Sequence, residues 1–376
     1  MIEIRKIEGR RQLNRFVQFA IDLYKGNENY VPPIISMEVD TLDPAKNPVY
    51  QFCESIFFLA FCDGKPVGRV AGFINHRSNE KLGEKIVRFC WIDFVDDHKV
   101  SSALLDSIRS WGKQRGMDTM IGPMGPSDID NEGCLVEGFD FLPTSLNSYN
   151  ASYYKSHFES YGMITDATWY EFLIEVPERI PEKFVKVAAI VKERYGLKVF
   201  FEPNAKRAKK EWGQKLFELL NVCYSQIYGF TEMTPKQIDY YVNLYLPQVP
   251  MDLIRFVTDC HNDLIAFGIM IPSLSKAQQK AKGHLFPFGW YHLLSAMRKN
   301  SGNDTVDMLL IGVRPDYQNK GVHSLIFTDM YPTLKAYGFR YMETNCELET
   351  NHKIQQIWKE LNPLHHKTRM AYRISI

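Results

Sequence analysis

Residues 313–323 read VRPDYQNKGVH. They lie between an apolar, β-branched run, Met308 to Val313, and a helical pattern that opens at Val322. A strand that turns directly into a helix N-terminus presents backbone N–H groups without intrahelical partners, and the helix dipole adds positive potential there. Such a turn suits a phosphate or pyrophosphate. Gly321 is read as the point where backbone approaches the ligand closely, since a Cβ would obstruct it. Lys320 supplies a charge, and His323 reads as a helix-opening residue able to meet phosphate if protonated.

Working outward, the strand, loop and helix belong to a pattern that occurs twice. Ile56–Phe61 and Val67–Ile74 are apolar runs joined across Asp63-Gly64, a hairpin signal. Leu253–Thr258 and Leu264–Ile271 flank His261-Asn262-Asp263 in the same way. A strand-like run follows each hairpin, Val87–Phe94 and Val306–Val313, and then a helix. With an offset of 222 residues, Leu104 falls on Ile326, Ile108 on Met330, Lys113 on Lys335, Gly116 on Gly338 and Met120 on Met342. Both helices end at a glycine after a basic turn, as a C-cap requires. Helical periodicity over Leu13–Tyr24, Lys215–Tyr228 and Pro235–Leu246 completes two units of antiparallel strands beside one β-α-β crossover. Two prolines near Val176–Pro181 place the boundary, giving units 1–178 and 179–376.

The second unit resembles the GNAT superfamily of N-acyltransferases. Val313, Pro315, Gln318 and Gly321 fit the spacing of its acyl-coenzyme A signature, with His323 where Gly or Ala is usual. Asn351 opens N-x-x-I-x-x-I-W-K-E-L, similar to a later helix of that family, with Trp358 at the place of a tyrosine that often protonates the leaving thiolate. The resemblance implies an α/β fold of two tandem GNAT-like domains, each a mixed, mostly antiparallel sheet flanked by helices. It implies acetyl-CoA or another acyl-CoA as co-substrate and no metal. Ile311, Val313, Gln318, Asn319, Lys320, Gly321, Val322, His323, Asn351 and Trp358 are then the expected CoA-binding residues.

It also implies that the thioester lies in a gap between two parting strands, here Met308–Val313 and Tyr341–Glu347. Backbone N–H groups near the end of the first strand would serve the oxyanion. Three carboxylates are candidates for the base that accepts the amine proton: Asp307, Glu343 and Glu347. Asp307 also reads as a strand-start residue, and the sequence does not choose among the three. In the first unit the equivalent turn is FVDDHKV, where Asp96 and Asp97 would repel a pyrophosphate. That unit is expected to have lost the CoA site and to pack against the active one or shape the acceptor site. Its loop Gly122–Gly138 carries Asp128, Asp130, Asn131, Glu132 and Glu137, and reads slightly better as a solvated connection than as an amine-binding loop.

Forty-five Lys and Arg against 44 Asp and Glu leave a net charge of +1, which excludes a global field for nucleic acid. Seven scattered cysteines form no C-x-x-C pair, so neither a disulfide framework nor a zinc site is expected. The opening MIEIRKIEGRR has no apolar core of a signal peptide, and a cytoplasmic protein is expected. The aromatic run His284–Leu294, flanked by basic residues, reads first as packing between the two units. Its second reading is a cover for a lipidic acyl chain or a weak membrane-surface contact through 284–294. The function expected is transfer of an acyl group, acetyl or longer, from acyl-CoA to a primary amine, on a small or lipid-like acceptor. A non-catalytic tandem scaffold that binds acyl-CoA and an aminoacyl-tRNA-dependent transferase of Fem type are the alternatives.

Overall fold

Asp63 and Gly64 take positive φ (50° and 76°) between the strands Cys53–Cys62 and Lys65–Asn75, which is the turn Asp-Gly predicts. The computed structural model describes residues 1–127, 129–144 and 146–376. The first half runs β1 (Ile2–Lys6), α1 (Gly9–Leu23), α2 (Ile35–Leu42), β2 (Cys53–Cys62), β3 (Lys65–Asn75), α3 (His76–Leu82) and β4 (Ile86–Phe94). It continues with α4 (His98–Gln114), β5 (Thr119–Gly122), β6 (Cys134–Glu137), α5 (Tyr154–Ser160) and β7 (Ile164–Glu175). The second half runs α6 (Glu182–Tyr195), β8 (Lys198–Phe200), α7 (Ala205–Ala208), α8 (Gln214–Tyr224), α9 (Pro235–Tyr245), β9 (Ile254–Thr258) and β10 (Leu264–Pro272). After it come α10 (Ser275–Ala281), α11 (Gly289–Ala296), β11 (Thr305–Val313), α12 (His323–Tyr337), β12 (Tyr341–Thr344), β13 (Glu347–Leu348), α13 (His352–Trp358) and β14 (Leu364–Ser375).

The duplication is visible in the pairing. Thr119–Gly122 and Tyr341–Thr344 lie 222 residues apart, and each strand starts its parallel ladder at the first residue of its partner, Ile86↔Thr119 and Thr305↔Tyr341. Helices seat on the sheet at matching glycines. A Cβ on Gly68 would meet Leu104 at 2.8 Å, and one on Gly268 would meet Ile326 at 2.6 Å. Leu104 and Ile326 are themselves 222 apart. In each half the sheet is a middle layer. One face packs on α1 and α2 or on α8 and α9, the other on α4 or on α6 and α12.

Among the described residues the strands form one sheet, in the order β1-β2-β3-β4-β5-β14-β7-β12-β11-β10-β9-β8, with β6 on β14 and β13 on β7. The halves thus lend each other their final strands. β14, from the end of the chain, pairs with β5 and β6 of the first half, while β7 pairs with β12 of the second. Where β7 and β14 meet, Lys367 and Arg369 are buried against Glu171 at 2.8 and 2.5 Å, and Lys367 also holds Glu343 at 2.5 Å. Burial alone would raise the Glu171 pKa. Lys367 and Arg369 outweigh it and hold it down at about 2.

Two expectations are corrected. The loop after Gly122 is buried over Pro123–Ser127, because its polar groups are satisfied partly within it and partly by Asn75, Arg88 and the Phe89 carbonyl. The Asp130 carboxylate accepts the Ser127 N–H and Oγ–H at 2.9 and 2.8 Å, and Gly133 N–H donates to Pro123 O at 2.8 Å. Asp128 of that loop lies outside the described residues. The aromatic run 284–294 does not fill a space between the halves, since Phe286, Phe288, Trp290, Tyr291 and Leu294 are exposed.

Candidate functional site

β11 and β12 pair only over Thr305–Met308 with Tyr341–Thr344, and β11 then runs on for five residues without β12. Two local features open this gap. On the β10 side the register slips so that Leu309 is an extra residue, a bulge that bends the strand. On the other side the expected strand Tyr341–Glu347 breaks at Asn345 and Cys346, and Glu347–Leu348 resumes one residue out of register along β7, the strand that β12 also pairs with. The Arg314 N–H donates to Ile265 O at 2.8 Å, which fixes the antiparallel alternation. The amides of Gly312 and Leu310 therefore face β10, and those of Ile311 and Val313 face the gap.

Beyond Val313 the chain makes a single turn at Pro315–Tyr317, and Gln318 Nε2 donates back to the Val313 carbonyl at 3.2 Å. Asn319 and Gly321 take φ of 60° and 81°, turning the backbone so that α12 starts at His323. Gly321 lines the cavity, and its missing Cβ would lie 2.5 Å from Val187 of α6, so this glycine also lets the loop sit against a helix. Lys320 stays outside the cavity lining, its ammonium over the Tyr195 and Tyr317 rings at 4.9 and 5.0 Å. His323 lines the cavity, and burial lowers its pKa, which favours a neutral ring over a phosphate-binding cation.

A cavity of about 1270 Å³ begins at this loop and runs through the gap. It is lined by Ile311, Val313, Gln318, Asn319, Gly321, Val322, His323, Asn351 and Trp358, and continues to Glu38, Trp91 and Asn131 of the first half. Small-ligand pockets usually measure about 300–1,000 Å³, so there is room for more than one reactant. The buried 122–138 loop contributes Ile129, Asp130, Asn131 and Glu132 to the lining. Burial raises the Asp130 pKa to about 6.

The break after Thr344 separates the three candidate carboxylates. Glu343 turns away from the cavity and is held by Lys367 and by the His366 ring at 3.0 Å. Asp307 is buried and also lies outside the lining. Glu347 lines the cavity. Its Oε1 accepts the Trp358 indole N–H at 2.7 Å, and burial pushes its pKa up to about 8 even though that bond pulls the other way. Trp358 is clamped edge-on against Phe327, with centroids 5.1 Å apart, so the indole N–H has a fixed direction. Cys346 also lines the cavity, as a neutral thiol. Burial, with Glu171 next, pushes its ionisation well up.

The same place in the first half is filled. Phe94, the ninth residue of β4 as Val313 is of β11, donates its N–H to Tyr154 Oη at 3.2 Å and accepts from Tyr153 Oη at 2.5 Å. The Tyr154 ring stacks on Phe94 at 4.3 Å. Asp97 accepts the Lys99 amide at 2.8 Å, and Asp96 bonds the His157 ring at 2.9 Å. The helix start that would face a phosphate is thus occupied by the protein's own carboxylates. Composition in the first half signalled that loss. It did not signal the tyrosines that fill the gap, which need a helix, α5, packed from a distance.

A tandem GNAT protein from the clavulanic acid biosynthesis pathway superposes on the whole chain and on 98% of its own, with a TM-score of 0.56 at 10% identity. The chain has the tandem GNAT fold. A GCN5-related N-acetyltransferase from Sphaerobacter thermophilus shares this fold over 95% of its length (TM-score 0.53, 8% identity). By sequence, Protein YghO of Escherichia coli (strain K12) is 27% identical over 364 residues, 93% of this chain and 89% of that one. Bacterial ceramide synthase of Caulobacter vibrioides (strain NA1000 / CB15N) is 25% identical over 369 residues, 96% and 94% of the two chains. No family model matches. Among the described residues, no helix of this tandem GNAT fold is long and apolar enough to cross a membrane, and no three His, Cys, Asp or Glu side chains group to hold a metal ion.

Proposed function

We propose that the protein is an acyl-CoA-dependent N-acyltransferase with one active centre, in the second half. The observation that carries this reading is the gap between β11 and β12, where the Ile311 and Val313 amides face the opening and Glu347 lines the same large cavity. In this reading the CoA pyrophosphate rests at the start of α12 and the pantetheine arm lies along β11. The Ile311 amide points at the thioester oxygen, where negative charge grows as the carbonyl becomes tetrahedral.

Glu347 supplies both proton transfers. With a pKa of about 8 it is close to the acidity of a thiol, so it takes a proton from the attacking amine and returns it to the departing sulfur at little cost. The C–N bond forms, the C–S bond breaks, and the amine proton ends on CoA. The tryptophan at position 358 cannot give up a proton at this acidity. Its indole N–H instead aims the carboxylate, which removes the need for a tyrosine. Cys346, held as a thiol, takes no part as a nucleophile.

The likeness to a ceramide synthase across nearly the full chain supports a lipid-like amine as acceptor. The apolar stretch of lining formed by Leu220, Ile227, Ile269, Met270 and Leu309 supports a long acyl chain. A thermal-shift titration with CoA, acetyl-CoA and palmitoyl-CoA tests the site, because ligand binding to the native state raises the melting temperature. Release of CoA thiol on adding sphinganine tests the reaction. A rise in melting temperature largest for palmitoyl-CoA, with amine-dependent thiol release, is expected. No shift with any of the three would refute the placement of the site.

A further inference from the structure

The stretch between β10 and β11 carries five cations from Pro272 to Asn303, Lys276, Lys280, Lys282, Arg298 and Lys299, and no Asp or Glu. Two of them pair with acids outside it, Lys276 with Asp304 at 3.6 Å and Lys299 with Asp252 at 2.7 Å. The stretch is fastened to the first half. Gly283 O accepts the Ile35 N–H at 2.9 Å, and the Gln279 side chain donates to the Glu28 and Tyr30 carbonyls at 2.7 and 3.1 Å. Its base is therefore anchored while its tip stands in solvent. Phe286 and Phe288 at the tip are 79% and 68% exposed, and Trp290, Tyr291 and Leu294 of α11 are exposed beside them.

Five large apolar side chains within nine residues are unlike the scattered exposed residues found on any surface. Aromatic rings of this kind, ringed by Lys and Arg, match the boundary between lipid headgroups and acyl chains. The cavity runs beside the base of the stretch, where Leu274 and Gln278 line it. Val31, Ile34 and Met37, on the segment to which the stretch is fastened, line it, and Met37 is also exposed.

We propose that this stretch docks the protein on an anionic phospholipid bilayer. Phe286, Phe288 and Trp290 enter the headgroup boundary and Lys280, Lys282 and Arg298 meet the lipid phosphates, which brings the cavity wall at Met37 towards the membrane. A protein partner would need no such excess of cations, whereas an anionic surface explains the rings and the charges together. Docking stands apart from the reaction assigned above, because it requires neither CoA nor Glu347.

The test is co-sedimentation of the purified full chain with phosphatidylcholine vesicles, with and without phosphatidylglycerol, whose negative surface potential attracts basic segments. Binding to the anionic vesicles alone, weakening as salt rises, is expected. The triple variant Phe286→Ser/Phe288→Ser/Leu294→Ser should lose it. Lys280→Gln/Lys282→Asn/Arg298→Gln should weaken it about a hundredfold, since each cation contributes roughly fivefold. Both variants change exposed side chains only, so unchanged melting temperature and unchanged CoA-induced stabilisation verify the fold and the separate site. Equal pelleting of the triple variant and the parent would overturn the proposal. So would absence of binding at low salt, or a self-association in sedimentation velocity that the triple variant abolishes.

Discussion

Replacing Trp358 by Phe removes the indole N–H that Glu347 accepts at 2.7 Å and keeps most of the ring that packs on Phe327. A hydrogen bond to a charged group contributes about 1.5–3 kcal/mol. Each pKa unit corresponds to about 1.4 kcal/mol, so Glu347 should move from about 8 to roughly 9–10. With Glu347 as base, kcat/KM rises with pH up to its pKa and then levels. The assay is thiol release across pH 6–10.5, using an acceptor whose amine titrates below that range, so that only the enzyme ionises. The rising limb should move to higher pH by about one to two units in Trp358→Phe, and Glu347→Gln should lose the limb and about 10²–10⁴ of kcat. Stability separates this role from a structural one. A carboxyl near 4.5 unfolded and about 8 folded makes stability fall by about 1.4 kcal/mol per pH unit between those values. Glu347→Gln should therefore melt higher than the parent above pH 8 while being nearly inactive. An unchanged limb in Trp358→Phe, or a surviving limb in Glu347→Gln, would refute Glu347 as the proton carrier.

Gly321→Ala combines positive φ with a Cβ aimed at Val187, and should cost about 1–2 kcal/mol with partial rescue by Val187→Ala, read from urea midpoints. Gly321→Asp is correspondingly expected to disturb the fold locally, so it is not a clean probe of CoA binding. Lys367→Met leaves Glu171 and Glu343 buried with one cation fewer and should cost about 3–5 kcal/mol by chemical denaturation. In the parent chain the ion pairing of Glu171 is fully present above its ordinary pKa of 4.5 and is lost as pH falls towards 2, so circular dichroism should follow acid unfolding within that window. Residues 1–178 expressed alone should show no cooperative thermal transition, because β5 and β6 lack β14; a cooperative transition would contradict the exchange of strands.

The sequence revealed much of the fold because repeats carry register. The offset of 222 read from Leu104/Ile326 and Gly116/Gly338 carries β5 onto β12 residue for residue. The loop Val313–His323 was legible for a similar reason, since strand, glycine and helix start are all local signals. Partner choice was not. β7 and β14 are both twelve-residue strands with alternating polar positions, and nothing local says which half each completes. The division of labour among Asp307, Glu343 and Glu347 was hidden as well. Continuous alternation would have put Glu343 and Glu347 on one face of one strand. The break at Asn345–Cys346 sends one carboxylate to Lys367 and the other to the cavity. The aromatic run 284–294 misled in the other direction, because apolar composition reads as core until a fold shows it standing outside.

The exchanged strands also set a timetable. N-terminal domains ordinarily fold while the rest of the chain is still being made, at about 5–20 residues per second. Here Gly122 waits for Tyr372, its neighbour in the sheet, which is 250 residues later (372 minus 122). The ribosome needs roughly 12–50 s to deliver it. Throughout that interval the edge of β5 lies bare on a half-built sheet, the kind of surface that recruits other nascent chains. Completion by β14 makes both halves mature together, and a chain cut anywhere before β14 leaves neither of them finished.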